Sequence, residues 1–80
     1  MTVVTLRFFG PARDAAGSRQ SDIGGRTVEE VLAAACTRYG EGFADVLARS
    51  KVWVNGEPAA PQDAVTSSDE VAVLPPVSGG

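Results

Sequence analysis

The chain has 80 residues, of which 44% are hydrophobic and 21% charged, so it is long enough for one small folded domain and no more. Its net charge of −3 and its scattered Lys and Arg residues exclude a nucleic-acid-binding surface, which needs a basic stripe against the phosphates. One cysteine and no histidine exclude an internal disulfide, histidine-based nucleophile pairs and zinc-type ligand sets, so no metal site is expected.

The location is predicted from the same features. No apolar stretch approaches the roughly 20 residues that a bilayer requires, and residues 1–5 lack the regions of a signal peptide. With a single cysteine, this predicts a cytoplasmic protein that does not bind membranes. Gly24-Gly25 is followed by Arg26-Thr27, which lacks the spacing of a phosphate loop, so no bound cofactor is expected.

The first quarter of the chain predicts two strands. Residues 3–9 alternate, with Val4, Leu6 and Phe8 on one face and Phe9 on the other. Gly10-Pro11 ends this strand, and residues 12–16 form a helical turn that stops at Gly17. Residues 18–23 are short and polar, which indicates a strand at a sheet edge.

The main helix begins at Thr27. Thr27 and Glu30 form a capping box, in which the hydroxyl accepts a hydrogen bond from the Glu30 N–H and the glutamate reaches back. Gly40 is expected to end the helix in a left-handed conformation. One apolar stripe runs along the helix, so this face must lie on a sheet; its members are Val28, Val31, Leu32, Ala35, Cys36 and Tyr39.

The second half predicts three strands after a connecting segment at residues 41–50. Residues 51–54 form a strand, Asn55-Gly56 the hairpin turn and residues 57–60 the returning strand, with Pro58 marking an edge. Residues 70–74 form the last strand, and alternation leaves open whether Trp53 packs in the core or on the outer sheet face. The predicted class is α+β: one main helix across a mixed five-strand sheet, with a domain at residues 1–74 and an extended tail at residues 75–80.

The tail carries the chemically distinctive group. It reads Pro75-Pro76-Val77-Ser78-Gly79-Gly80, so two prolines stiffen its base and two glycines remove all side chains from its end. Fully extended, it reaches roughly 20 Å. Such a tail fits a narrow tunnel in a partner and presents the Gly80 carboxylate there.

This sequence resembles the small, sulfur-carrying subunit of molybdopterin synthase (the MoaD family), a ubiquitin-like β-grasp protein. It departs from the family at Ser67-Ser68, where Asp-Gly is common, at Gly56, and at Leu74, where a large aromatic residue is frequent. Besides the tail, the resemblance is carried by Phe8-Phe9, Ala12-Arg13, Gly17, Thr27-Val28-Glu29, Val54-Asn55 and Asp69-Glu70-Val71-Ala72.

The resemblance implies that the chain is not a catalyst alone. An adenylating enzyme related to ubiquitin-activating enzymes would use ATP to activate the Gly80 carboxylate, and a persulfide donor would convert it to a thiocarboxylate. The tail, with Gly79 and Gly80 at its end, would then enter the large synthase subunit. There it would deliver sulfur to cyclic pyranopterin monophosphate in molybdenum cofactor biosynthesis, within a heterotetramer of two small and two large subunits.

A partner interface is expected beside the tail. If the helix covers the side of Leu6 and Phe8, Phe9 and Leu74 point away from the core. Arg7 and Arg13 are expected nearby, where they either contact a partner's acids or are simply solvated. Three alternatives remain open: a carrier for thiazole, cysteine or tRNA thiolation, a ubiquitin-like protein modifier, and an interaction domain with an inert tail. The expected interface residues are Phe9, Pro58, Leu74, Pro75, Pro76, Val77 and Ser78.

Overall fold

A computed structural model describes residues 2–75. In chain order, the elements of this part are β1 (Val3–Phe8), α1 (Pro11–Ala16), β2 (Gln20–Gly24), α2 (Val28–Tyr39), α3 (Glu41–Ala48), β3 (Lys51–Val54), β4 (Glu57–Pro58) and β5 (Glu70–Leu74). No helix in this part of the chain is long and apolar enough to span a membrane.

The strands form one mixed sheet in the order β2–β1–β5–β3–β4. The first and last strands, β1 and β5, lie side by side and parallel, whereas the other neighbouring strands are antiparallel. The predicted α+β class and five-strand sheet are therefore confirmed. The predicted edge positions are confirmed as well, because β2 and β4 flank the sheet.

The core lies on the inner face of the sheet, under the helices. Alternation along β1 and β5 buries every second side chain, as the sequence predicts. The helices supply the opposing layer through the α2 stripe and Phe43 of α3. The fully buried larger side chains are Val4, Leu6, Phe8, Ile23, Val28, Val31, Phe43, Val71 and Val73.

The start of α2 confirms half of the predicted capping box. Thr27 is the N-cap, and its hydroxyl accepts a hydrogen bond from the Glu30 N–H at 3.2 Å. The reciprocal bond differs, because Glu30 Oε1 accepts from the N–H of Arg26 at 3.0 Å, one residue before the cap. Gly40 ends α2 with φ 91° and ψ −170°, so it has a positive φ but not the predicted left-handed helical conformation. Gly17, by contrast, ends α1 in that conformation.

The prediction of a connecting segment at residues 41–50 is wrong, because Glu41–Ala48 form α3. Phe43 is fully buried, and its ring lies 5.5 Å from that of Phe8 at 83° and 5.4 Å from that of Tyr39. Phe8 and Tyr39 are also in edge-to-face contact, at 5.4 Å. This aromatic cluster fixes α3 against the end of β1.

The β3–β4 hairpin is shorter than predicted. Asn55 and Gly56 both have positive φ, 51° and 84°, as a two-residue hairpin turn requires. The returning strand covers only Glu57–Pro58 instead of residues 57–60. Pro58 has no N–H to donate, which suits its position on the edge strand.

Candidate functional site

The tail leaves the sheet where β1 and β5 end together. Phe8 pairs with Val73 in parallel register, and the Phe9 N–H then donates to the Val73 carbonyl oxygen at 3.2 Å. Pro75 follows β5 and is exposed. The other predicted tail residues, Pro76, Val77, Ser78, Gly79 and Gly80, lie outside the described residues.

Several apolar residues lie at this exit or near it on the outer face of the sheet, the face opposite the helices. Together we call them the tail-root surface. Phe9 is 37% exposed, one of the two large hydrophobic residues exposed in the described chain. Leu74 is half-buried, and its cross-strand partner is Lys51. The members of the tail-root surface are Phe9, Trp53, Pro58, Leu74 and Pro75.

Trp53 belongs to this outer face, which resolves the alternative that alternation left open. It stands opposite Ala72 on one side and Pro58 on the other. Its neighbours Val52 and Val54 pair with the buried residues Val73 and Val71. Because cross-strand partners point to the same face, the half-buried indole lies away from the helices. Trp53 was not among the predicted interface residues, although its alternation with Val52 and Val54 carried the signal.

Charged groups border the apolar residues. The Arg7 guanidinium lies 3.5 Å from a Glu70 carboxylate oxygen and 5.5 Å from the centre of the Phe9 ring. Arg7 therefore already has an acidic neighbour and an aromatic one in the free chain, and its contact with Phe9 is a cation–π interaction. Arg13 is on α1, where it lines an open depression of about 390 Å³ together with Arg19.

A hydrogen-bond network stabilises the start of β5, the end of the strand that lies away from the tail. The Asn55 side chain donates to Asp69 Oδ1 at 2.9 Å and accepts from the Glu70 N–H at 3.0 Å. Asp69 Oδ2 accepts from the Thr66 N–H at 2.7 Å, while the Asp69 N–H donates to the Thr66 carbonyl oxygen. The Asn55 bond first, and the Thr66 backbone bond second, lower the pKa of Asp69. The motifs Val54-Asn55 and Asp69-Glu70 are thus linked by these hydrogen bonds, which hold the hairpin turn against the start of β5.

The described chain holds no buried polar or charged residue. Its one thiol, Cys36, is half-buried on α2 and packs against the core. Burial raises the pKa of the Cys36 thiol, so the nucleophilic thiolate is scarce at neutral pH. Cys36 is thus held as a small apolar side chain, as its place in the helix stripe predicts.

The profile of the ThiS family matches residues 6–80. A search of curated proteins gives no match. The crystal structure of SAMP1 from Haloferax volcanii is 29% identical, with a TM-score of 0.83 over 98% of this chain and 99% of that one.

Two complexes are also similar. One is the protein–protein complex of subunits 1 and 2 of the molybdopterin-converting factor from Helicobacter pylori, at 25% identity and a TM-score of 0.72 over 98% of this chain and 99% of that one. The other is the BexX/CysO complex of Amycolatopsis orientalis, at 24% identity and a TM-score of 0.76 over 96% and 99%. At that identity the second likeness bears on the fold alone. The predicted ubiquitin-like β-grasp fold is confirmed.

Proposed function

The chain belongs to the ThiS family of ubiquitin-like sulfur carriers, and we propose that its reactive group is the carboxyl group of Gly80. The observation that carries the proposal is the tail-root surface: exposed Phe9, half-buried Leu74 and exposed Pro75 lie where the chain leaves the sheet, and Trp53 lies nearby on the outer face. The family match continues from there through Gly79-Gly80. An apolar surface beside a side-chain-free segment suits a partner that binds the domain and encloses the tail.

The chemistry follows from the weakness of a carboxylate as an electrophile. A partner enzyme joins the Gly80 carboxylate to the AMP part of ATP and releases pyrophosphate. The terminal sulfur of a persulfide donor then attacks the acyl carbon, and AMP leaves. A thiol cleaves the resulting S–S bond and is itself oxidised to a disulfide, which leaves a thiocarboxylate on Gly80. The partners supply the acid, base and electrostatic groups for these steps.

The acceptor that we propose is cyclic pyranopterin monophosphate, with the chain acting as the small subunit of molybdopterin synthase. The similarity to subunit 1 in a complex of two molybdopterin-converting-factor subunits supports this choice. Two small and two large subunits would form the heterotetramer. Because activation consumes ATP, we place the reaction in the cytoplasm.

Intact-mass measurement tests this proposal. The purified chain is incubated with its host's adenylating enzyme, ATP and a persulfide donor, and a variant that lacks Gly80 serves as the control. We expect a mass gain equal to the exchange of one oxygen for one sulfur, in the full chain only. No gain under conditions where the enzyme forms the acyl-adenylate would refute the carrier function.

Adding the large synthase subunit and the pterin precursor to the sulfur-loaded chain tests the acceptor. Molybdopterin should form, and the original mass of the chain should return. If the loaded chain keeps its sulfur there, but loses it to an acceptor from thiazole, cysteine or tRNA thiolation, the molybdopterin assignment is wrong and the carrier function stands.

A second candidate function is protein modification. The Haloferax protein that is 29% identical, SAMP1, is by name a small archaeal modifier protein. A modifier would join Gly80 to lysine side chains of other proteins, with loss of water overall. Conjugates that appear in host extract with ATP, and disappear when Gly80 is removed, would favour this function.

A further inference from the structure

The first residue of the tail rests on the turn that follows β1. Because β1 and β5 are parallel and paired up to Phe8 and Val73, the segments that follow these two strands leave the sheet side by side. At this end of the two strands, the Phe9 N–H donates a hydrogen bond to the Val73 carbonyl oxygen at 3.2 Å. After Phe9, the segment that follows β1 turns at Gly10 into α1, while the segment that follows β5 continues through Pro75.

A side chain on Gly10 would start towards Pro75, because the atoms of that proline are the nearest ones to a Cβ built on Gly10. A Cβ built on Gly10 would lie 3.4 Å from both Cβ and Cγ of Pro75 and 3.8 Å from its Cδ. A single methyl group would thus be in ordinary van der Waals contact with the proline ring, and we expect a leucine side chain, which extends further, to push against it. The backbone of Gly10, with φ 58° and ψ −132°, is also one that residues with a Cβ rarely adopt.

The turn that holds Pro75 is itself held firmly. Gly10 is the N-cap of α1, and its carbonyl oxygen accepts from the N–H groups of Arg13 at 3.0 Å and Asp14 at 3.3 Å. The helix is attached to the domain through Ala12, which is buried in the core. Gly10 therefore presents a fixed surface to an exposed Pro75.

We propose that Gly10 is a positioning residue for sulfur transfer: its contact with Pro75 sets the direction in which the tail leaves the domain. This inference rests on the proposed function, since the direction matters only if the tail must enter a partner's active site. Proline transmits the direction, because its ring fixes φ and stiffens the segment that follows. A deflection at Pro75 changes the point and direction from which residues 76–80 start.

The test compares Gly10→Leu with Gly40→Leu. Gly40 is a matched control because it is also a helix N-cap with positive φ, but an added Cβ there meets nothing within 4 Å. Both variants place a side chain at a positive φ, but only at Gly10 does that side chain start towards Pro75. In the mass-gain assay we expect kcat to fall roughly tenfold to a hundredfold for Gly10→Leu. KM should change little, because the tail-root surface still binds the partner, and Gly40→Leu should behave as the wild type.

Rescue separates positioning from a general structural defect. Adding Pro75→Ala to Gly10→Leu removes the ring atoms that the leucine meets, so part of the lost kcat should return. Equal loss in Gly10→Leu and Gly40→Leu, a loss confined to KM, or an absence of rescue would overturn the proposal. If Gly10→Leu does not fold, Gly10→Asn against Gly40→Asn replaces it, because asparagine reaches beyond Cβ and tolerates positive φ better than leucine. Equal kcat in that pair would also overturn the proposal.

Nuclear Overhauser effects give a readout that does not depend on sulfur. Contacts between the Gly10 Hα protons and the Pro75 ring are expected in the wild type and in Gly40→Leu, and not in Gly10→Leu. Their absence from the wild type would refute the positioning role. If they are present but the wild type never gains sulfur, the proposed function fails while the contact itself stands.

Discussion

Replacing Phe9 with alanine is expected to weaken binding to the large synthase subunit by one order of magnitude or more. A phenylalanine side chain offers about 150–250 Å² of surface. Phe9 is 37% exposed in the free chain, which leaves about 55–90 Å² for a partner to cover. At about 25 cal/mol per Å², this area contributes about 1.4–2.3 kcal/mol. The Kd should therefore rise about 10- to 40-fold.

Val3 provides a matched control for this prediction. It is the other exposed large hydrophobic residue of the described chain, at 40% exposure. It lies on the same outer face as Arg7 but at the opposite end of β1, beside β2. Val3→Ala should leave the Kd unchanged, because the tail leaves the sheet at the other end.

Isothermal titration calorimetry with the purified large subunit measures both variants. Thermal unfolding should show that Phe9→Ala keeps the stability of the wild type, since Phe9 lies outside the buried core. If Phe9→Ala binds as tightly as the wild type, or if Val3→Ala loses as much affinity, the tail-root surface is not the interface.

Three further predictions concern the domain itself. Phe43→Ala should lower the free energy of unfolding by about 3–5 kcal/mol in urea titrations, because Phe43 is fully buried in the aromatic cluster. Asp69 should support stability only when ionised. Its lowered pKa means that this contribution is complete above the unfolded-state value of about 3.9 and is lost as the pH falls through the lower folded-state value. Thermal unfolding across acidic pH should therefore show a weaker acid dependence in Asn55→Ala, which removes the bond that contributes most to the shift. Cys36→Ala should gain sulfur at the wild-type rate in the intact-mass assay, since its thiol is half-buried with a raised pKa.

Each of these predictions has a clear contrary result. Phe9→Ala is the same substitution at an exposed position, so equal destabilisation by Phe43→Ala and Phe9→Ala would refute the role of the aromatic cluster. An unchanged acid dependence in Asn55→Ala would show that the hydrogen bond does not stabilise the Asp69 carboxylate. Loss of the mass gain in folded Cys36→Ala would place sulfur handling on the thiol instead of on the tail.

The elements that the sequence predicts well are those in which local chemistry and packing agree. Alternation in β1 and β5 follows from burial of one face, and the positive φ values at Asn55 and Gly56 follow from the turn that joins β3 to β4. The apolar stripe of α2 likewise matches its buried side. In each case a local sequence pattern, either a periodicity of apolar residues or a pair of turn residues, determines the structure.

The sequence-based predictions were wrong for α3 and for the length of β4. For α3, the structure depends on contacts between residues that are far apart in the sequence. Helix α3 is short and begins after Gly40, yet Phe43, Val46 and Leu47 have the i, i+3, i+4 spacing of a helix face. What stabilises it is the packing of Phe43 on Phe8, 35 positions earlier in the chain. The returning strand ends at Pro58, although the Ala59 N–H still donates to the Val52 carbonyl oxygen at 3.0 Å.

The candidate site was predicted only in part, because some of its contacts are local in the sequence and others join distant strands. The outward direction of Phe9 and Leu74 follows from alternation within single strands. That Trp53 joins them depends on β3 lying beside β5, a pairing between strands far apart in the sequence. The contact between Gly10 and Pro75 depends in the same way on the parallel pairing of the first and last strands.

The central claim is that sulfur is carried on Gly80, and top-down mass spectrometry of the chain isolated from its host tests it most directly. Fragmentation locates any added sulfur along the intact chain. We expect a fraction of molecules in which one oxygen of the Gly80 carboxylate is replaced by sulfur, and we expect that fraction to disappear when the adenylating enzyme is deleted. A chain that never carries sulfur at Gly80, or that carries it on Cys36, would contradict the account.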